Sequence, residues 1–187
     1  MRTKDENKTK AIKHAVIELS QSEGLTNLTT AKVAKLAGVS PATIYLKYKD
    51  KTDMLSRIYE EVKTELHAGV QESILDAGDD VEAQLRAVLN YSVQQWHKYP
   101  KESEFINALW TNQELLDASA IESGNQKEGP LVDLFARIDA NPAFINVPRV
   151  ILEAFASLPG TVRQLASNND QALIDQTIDL ILKALKV

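Results

Sequence analysis

The chain has 187 residues, 44% of them hydrophobic and 25% charged, a balance that suits one soluble globular body or two small ones with a buried core. It contains no cysteine, which excludes disulfides, cysteine-based zinc sites and thiol catalysis. The net charge of −5 is unevenly spread: residues 1–51 hold ten Lys/Arg against five Asp/Glu, a balance of +5, and the remainder carries −10.

That asymmetry is the electrostatic footprint of a basic module that approaches nucleic acid, carried on an acidic body that nucleic acid repels. No apolar run approaches the ~20 residues of a membrane span. The opening MRTKDENKTK has no apolar core of the signal-peptide kind, so a cytoplasmic location is expected.

In chain order, residues 1–7 are polar and expected to fray, with Lys4, Lys8 and Lys10 forming a basic arm. A first helix is expected over 8–22, with Ile12, Ala15, Val16 and Leu19 at helical spacing, ended by Gly24. Leu25 and Leu28 should enter a small core. Thr29 is placed to cap a helix over 30–36 with Val33, Ala34, Leu36 and Ala37 as its apolar positions. Gly38 follows, where a helix terminus favours φ > 0. Ser40 is an N-cap and Pro41 suits the first helical position, opening a helix to about Tyr48. Ile44, Tyr45 and Tyr48 can share the inner face of this helix, which leaves Ala42, Thr43 and Lys47 to face outward. Two short helices about a glycine-containing turn make a helix-turn-helix, whose second helix can enter a DNA major groove.

The residues Gly24-Leu25, Thr29, Val33-Ala34, Ala37-Gly38-Val39-Ser40, Thr43-Ile44-Tyr45, Tyr48 and Lys49-Asp50-Lys51 resemble the N-terminal domain of TetR-type transcriptional regulators. The resemblance covers about residues 8–55. Tyr48 stands where the family usually has Phe, and Ala31 where it is often polar. Leu46-Lys47 replaces a common aromatic or His pair, so the family's base preference does not carry over. The resemblance implies phosphate contacts from Thr29 and Lys51. The residues themselves offer Pro41, Ala42 and Thr43 at the base edges and Tyr45, Lys47 and Lys49 toward phosphate, with the N-cap Ser40 counted among the DNA-binding residues, since Thr can hydrogen-bond several bases and Pro and Ala can touch a thymine methyl.

A long fourth helix is expected from Asp50 or Thr52 to Leu75, bent at Gly69. Further helices are expected over 81–98, 101–116, from Pro130 through Ile138, over 147–158, where Pro159-Gly160 kinks or ends the helix, over 162–166, and from Asp170 through Leu185. Residues 117–129 read as a broken helix end and a loop. No strand pattern appears. The fold class is therefore all-α: a three-helix head over 1–51 and a helical effector-binding and dimerisation domain over 52–187.

In the second domain, Tyr91, Trp96, Phe105 and Trp110, with Asn107 and Glu114 as polar contributors, are candidates to line a pocket for a small organic effector. Core packing accounts for each of the aromatics individually. The last helices are apolar on more than one face. Val150, Ile151, Phe155 and Leu158, with Ile174, Ile178, Ile181 and Leu182, are candidates for a homodimer interface that pairs two heads on a palindromic double-stranded operator. The resemblance implies the same dimer, and repression relieved by ligand. A ligand-dependent activator, or a helical small-molecule-binding protein with a degenerate head, stays open. His14, His67 and His97 are far apart in sequence, and no nucleophile elbow or glycine-rich phosphate loop is present. No enzyme, cofactor or metal is expected.

Overall fold

The computed structural model describes residues 2–124, 129–165 and 170–187, with the side chains of 2–4, 123 and 124 outside the description. The side chain of Lys4, part of the 117–129 stretch and Ala166 therefore fall outside it. The described chain is all-α: α1 Arg2–Ser22, α2 Gly24–Asn27, α3 Thr30–Leu36, α4 Pro41–Lys47, α5 Lys51–His67, α6 Val70–Asp76, α7 Val81–Lys98, α8 Pro100–Trp110, α9 Ala118–Gly124, α10 Pro130–Asp139, α11 Arg149–Leu165 and α12 Gln171–Ala184. A 3₁₀ turn occupies Gln113–Leu115, and the only extended pairing among the described residues is one antiparallel bridge between Phe144 and Lys186. Among the described residues no helix is long and apolar enough to cross a membrane.

Packing divides the chain into two compact units, 1–65 with 100–125 and 66–99 with 126–187. This division differs from the expected boundary at 51/52, because residues 52–65 and helices α8 and α9 pack with the head.

In the first unit, Ile12, Leu28, Val33, Ile44, Leu55 and Phe105 are fully buried together with their neighbours. Lys13 ties α1 to α5 through Glu61 and Glu65, each at 2.8 Å. Lys101 of α8 pairs with Glu18 of α1, and Gln21 donates to the Lys101 carbonyl at 3.0 Å. The buried Ser56 hydroxyl accepts the Asp117 N–H at 2.9 Å, while the Asp117 carboxylate caps α9 by accepting Ala120 N at 2.8 Å. These contacts explain why α8 and α9 belong to this unit.

In the second unit, α6, α7, α10, α11 and α12 surround one core that includes Ile74, Leu89, Leu134, Ile138, Ile178 and Leu182. The strap after α10 closes on the chain end: Ile145 N donates to Leu185 O at 2.9 Å and Val187 N to Ala143 O at 3.1 Å.

Several boundaries differ from expectation. The first helix begins at Arg2 rather than near Lys8. No glycine or proline interrupts the opening residues, and Asp5 in the first turn faces the positive end of the helix dipole. The expected fourth helix is two, α5 and α6, separated at Ala68-Gly69. Residues 118–124 are helical where a loop was expected. Conversely, α11 continues through Pro159 to Leu165 instead of stopping at Leu158. A proline within a helix removes one i→i−4 bond, and here Pro159 and Gly160 are both buried.

Candidate nucleic-acid interface

The head's helix-turn-helix is fixed by its caps. Thr29 Oγ1 accepts Lys32 N at 3.3 Å to open α3. Gly38 takes φ +65°, and its N–H and that of Val39 bond back to Lys35 O and Ala34 O, a glycine-terminated helix end. Ser40 Oγ accepts Thr43 N at 3.2 Å, and Pro41 occupies the first turn of α4. A cap of this kind contributes about 1 kcal/mol, a large share for a helix of seven residues.

The far end of α4 is held as firmly. Arg57 Nη1 donates to Lys47 O at 2.7 Å, and its guanidinium lies 5.8 Å from the centre of the Tyr48 ring. Asp50 accepts Asp53 N while Asp53 accepts Lys49 N, both at 2.9 Å, so the start of α5 is capped reciprocally. Ile44 and Tyr48 are buried, and burial raises the Tyr48 phenol above its ordinary pKa. The helix that would meet a groove is thus anchored through its inner face and both ends.

Its outer face is open. Pro41, Ala42, Tyr45 and Leu46 are exposed and Thr43 is half-buried. Tyr45, expected to share the inner face, is 60% exposed. Its hydroxyl is 3.2 Å from Thr30 Oγ1, and Thr43 Oγ1 is 2.9 Å from Ser40 Oγ. Leu46, which with Lys47 stands where the family has a common aromatic or His pair, is 87% exposed. It lies four residues after Ala42, on the same outward face.

The lysines differ among themselves. Lys47 Nζ is 3.1 Å from Asp5 of α1. Lys49 is exposed. Lys51 Nζ donates to Leu25 O at 2.7 Å and Thr26 O at 3.1 Å, which secures the end of α2, and burial lowers its pKa. A surface cleft of about 290 Å³ joins Thr26, Leu28, Thr29, Thr30, Tyr45, Asp50 and Lys51. The structure therefore brings Thr29, Tyr45 and Lys51 to one concavity beside the start of α3. There the Lys51 ammonium, held by the Leu25 and Thr26 carbonyls, lies beside the Thr29 cap of α3.

The expected effector residues are divided between the two units. Tyr91 and Trp96 belong to the second unit, whereas Phe105, Asn107, Trp110 and Glu114 belong to the first. Phe105 is fully buried core, Trp110 receives Lys63 5.8 Å from its ring centre, and Glu114 is exposed. Tyr91 is engaged through its hydroxyl, which donates to Leu66 O and accepts from Gly69 N. Trp96 lies against Gly160.

The expected dimer residues also separate. Val150, Ile151 and Leu158 of α11 are exposed, and Phe155 is half-buried against the core. Ile174, Ile178, Ile181 and Leu182 instead face the unit's own core at 1–3% exposure, and are not available to a second copy. The exposed apolar positions of α12 are Leu173 and Leu180, and Leu165 extends those of α11. Both faces of these helices are apolar, and sequence alone did not say which one the protomer uses. Among the described residues no cluster of three or more His, Asp or Glu forms a metal site.

Residues 12–58 match the family model for bacterial regulatory proteins of the tetR family. No curated protein gives a significant match. Among solved structures, a TetR family transcription regulator from Marinobacter aquaeolei VT8 is 21% identical, with 100% of this chain and 99% of that chain covered and a TM-score of 0.80. A TetR-family transcriptional regulator from Haemophilus influenzae RD is 18% identical over 96% of this chain and 99% of its own, at 0.75. A third chain, from Shewanella sp. PV-4, is 18% identical over 96% and 98%, at 0.82. At these identities the structural likeness is one of fold.

Proposed function

We propose that this chain, which carries a TetR-family N-terminal domain at residues 12–58 and the fold of TetR-family transcription regulators, is a dimeric repressor that binds a palindromic operator and is released by a small organic effector. The observation that carries the reading is the outer face of α4. It is exposed, and it sits in a head of balance +5 whose short helices are locked by Thr29, Ser40, Arg57 and Asp53. A rigid, outward-facing helix after a tight turn, carried on a basic head, is what major-groove docking requires.

In this reading Ser40, Pro41, Ala42 and Thr43 meet the base edges. Tyr45, Lys47, Lys49, Thr29 and Lys51 meet phosphate, the last two through the cleft beside α3. Two heads are brought together through the exposed apolar strip of Val150, Ile151, Leu158 and Leu165 on α11 with Leu173 and Leu180 on α12. Two-fold pairing of that strip gives an isologous interface and matches a palindromic site. The effector acts by favouring a dimer geometry whose head spacing no longer fits the groove repeat. Its entry to the second unit is proposed at the helices that carry Tyr91 and Trp96.

The test is duplex DNA binding across a salt series with native protein, Thr43→Ala and Lys47→Ala. Phosphate contacts release counterions, so affinity should fall steeply with salt. Lys47→Ala should reduce that slope by about one unit, whereas Thr43→Ala should weaken specific binding more than non-specific binding. Salt-independent or absent binding by the native protein would identify a degenerate head and overturn the proposal.

A further inference from the structure

Leu46 is 87% exposed, more than any other large apolar side chain among the described residues except Val187 at the chain end. It stands in α4 opposite Ile44 and Tyr48, which are 0% and 6% exposed. It follows Ala42 by four residues and Thr43 by three, so the three share one helix face.

The polar groups on and beside that face already have partners. Thr43 Oγ1 is bonded to Ser40 Oγ at 2.9 Å, Tyr45 Oη to Thr30 Oγ1 at 3.2 Å, and Lys47 Nζ to Asp5 at 3.1 Å. Pro41–Lys47 contains no Arg, Asn, Gln, Asp or Glu. Apart from Lys47, which is held by Asp5, it therefore lacks the side chains that read guanine, adenine or cytosine with paired or charged hydrogen bonds. What α4 presents freely is an apolar ridge of Pro41, Ala42 and Leu46. The major groove offers one apolar feature that distinguishes a base pair, the C5-methyl group of thymine. The +5 balance of the head that carries the ridge complements DNA.

We infer that Leu46, with Ala42 beside it, is a specificity-determining residue that packs on a thymine methyl in each operator half-site. The head then selects its site by methyl contact. This rests on the DNA-binding reading above.

The experiment uses a duplex selected by the native protein. Each thymine is replaced in turn by deoxyuridine, which removes the methyl group alone, and affinity is measured for the native protein and Leu46→Ala. Burying one methyl-sized group corresponds to about a fourfold change in affinity, and about fifteenfold when both half-sites are altered. The expected result is one thymine position per half-site at which deoxyuridine costs the native protein that factor and costs Leu46→Ala nothing. Equal losses in both proteins, or no sensitive thymine, would overturn the inference while leaving the DNA-binding reading intact. Leu46→Ala keeping the native salt slope on random duplex shows that its fold and phosphate contacts persist. If the native protein selects no sequence at all, the DNA-binding reading fails first and this inference with it.

Discussion

The Tyr91 hydroxyl fills the break between α5 and α6, donating to Leu66 O at 2.9 Å and accepting Gly69 N at 3.0 Å. It takes the place of the helical hydrogen bonds lost at Ala68-Gly69. A β-carbon on Gly69 would lie 3.0 Å from Tyr91 Cε2 and 3.1 Å from its oxygen. Gly69 is there for closeness, because its φ of −100° is open to any residue.

Tyr91→Phe should therefore cost about 1 kcal/mol in urea unfolding, as two backbone groups lose a shared partner. Gly69→Ala should cost about 1–3 kcal/mol through overpacking, with partial relief wherever the ring can shift. An unchanged midpoint in both variants would show that the hydroxyl does not hold the break.

Trp96 supplies a sharper case. A β-carbon on Gly160 would fall 2.1 Å from Trp96 Nε1 and 2.3 Å from Cδ1, distances no packed structure holds. Gly160→Ala should lower stability by about 1–3 kcal/mol despite alanine's better helix propensity, and should alter the near-ultraviolet dichroism of the indole. A stabilised variant with native dichroism would contradict the close approach of α7 and α11.

The Asp5–Lys47 pair makes a prediction of opposite sign. A carboxylate on α1 holds a lysine of α4 that is proposed to reach phosphate. Asp5→Asn removes that competitor and one negative charge from the head. Affinity for duplex DNA should rise severalfold at low salt and converge on the native value at high salt, as an exposed pair is weak and screened. A fall in affinity would show that Asp5 positions Lys47 instead of competing for it.

Lys13 sets a pH dependence. Burial by itself lowers its pKa, but the hydrogen bonds and charges of Glu61 and Glu65 outweigh that effect and hold the ammonium above the ordinary value of 10.5. A raised pKa in the folded state contributes stability below the unfolded value and loses it as pH rises through the folded one. Native protein should lose more stability than Lys13→Met on going from pH 9 to above 11, measured by denaturant midpoint. Equal alkaline losses would mean that Lys13 contributes nothing through these carboxylates.

The head was legible in the sequence because its signals are local. Thr29, Gly38, Ser40 and Pro41 each announce a cap or a turn within four residues, and all four perform that role. The helical class followed from periodicity for the same reason. What escaped depends on partners distant in the chain. The α5–α6 break needs Tyr91, 22 residues beyond Gly69. Ser56, an unremarked serine in an apolar seam, binds Asp117 across 61 residues. The choice of α12 face could not be read, because Ile178 and Leu180 are equally apolar and only the fold decides which is buried. The exposure of Leu46 could not be read, because a leucine signals core until its helix is seen to be covered on the other side.

The most direct measurement is selection from random duplex DNA with purified protein at two salt concentrations. The account predicts an enriched palindrome, with half-sites about one helical turn or a multiple apart and thymine at a fixed position in each. Only weak, sequence-blind and salt-sensitive binding would contradict it.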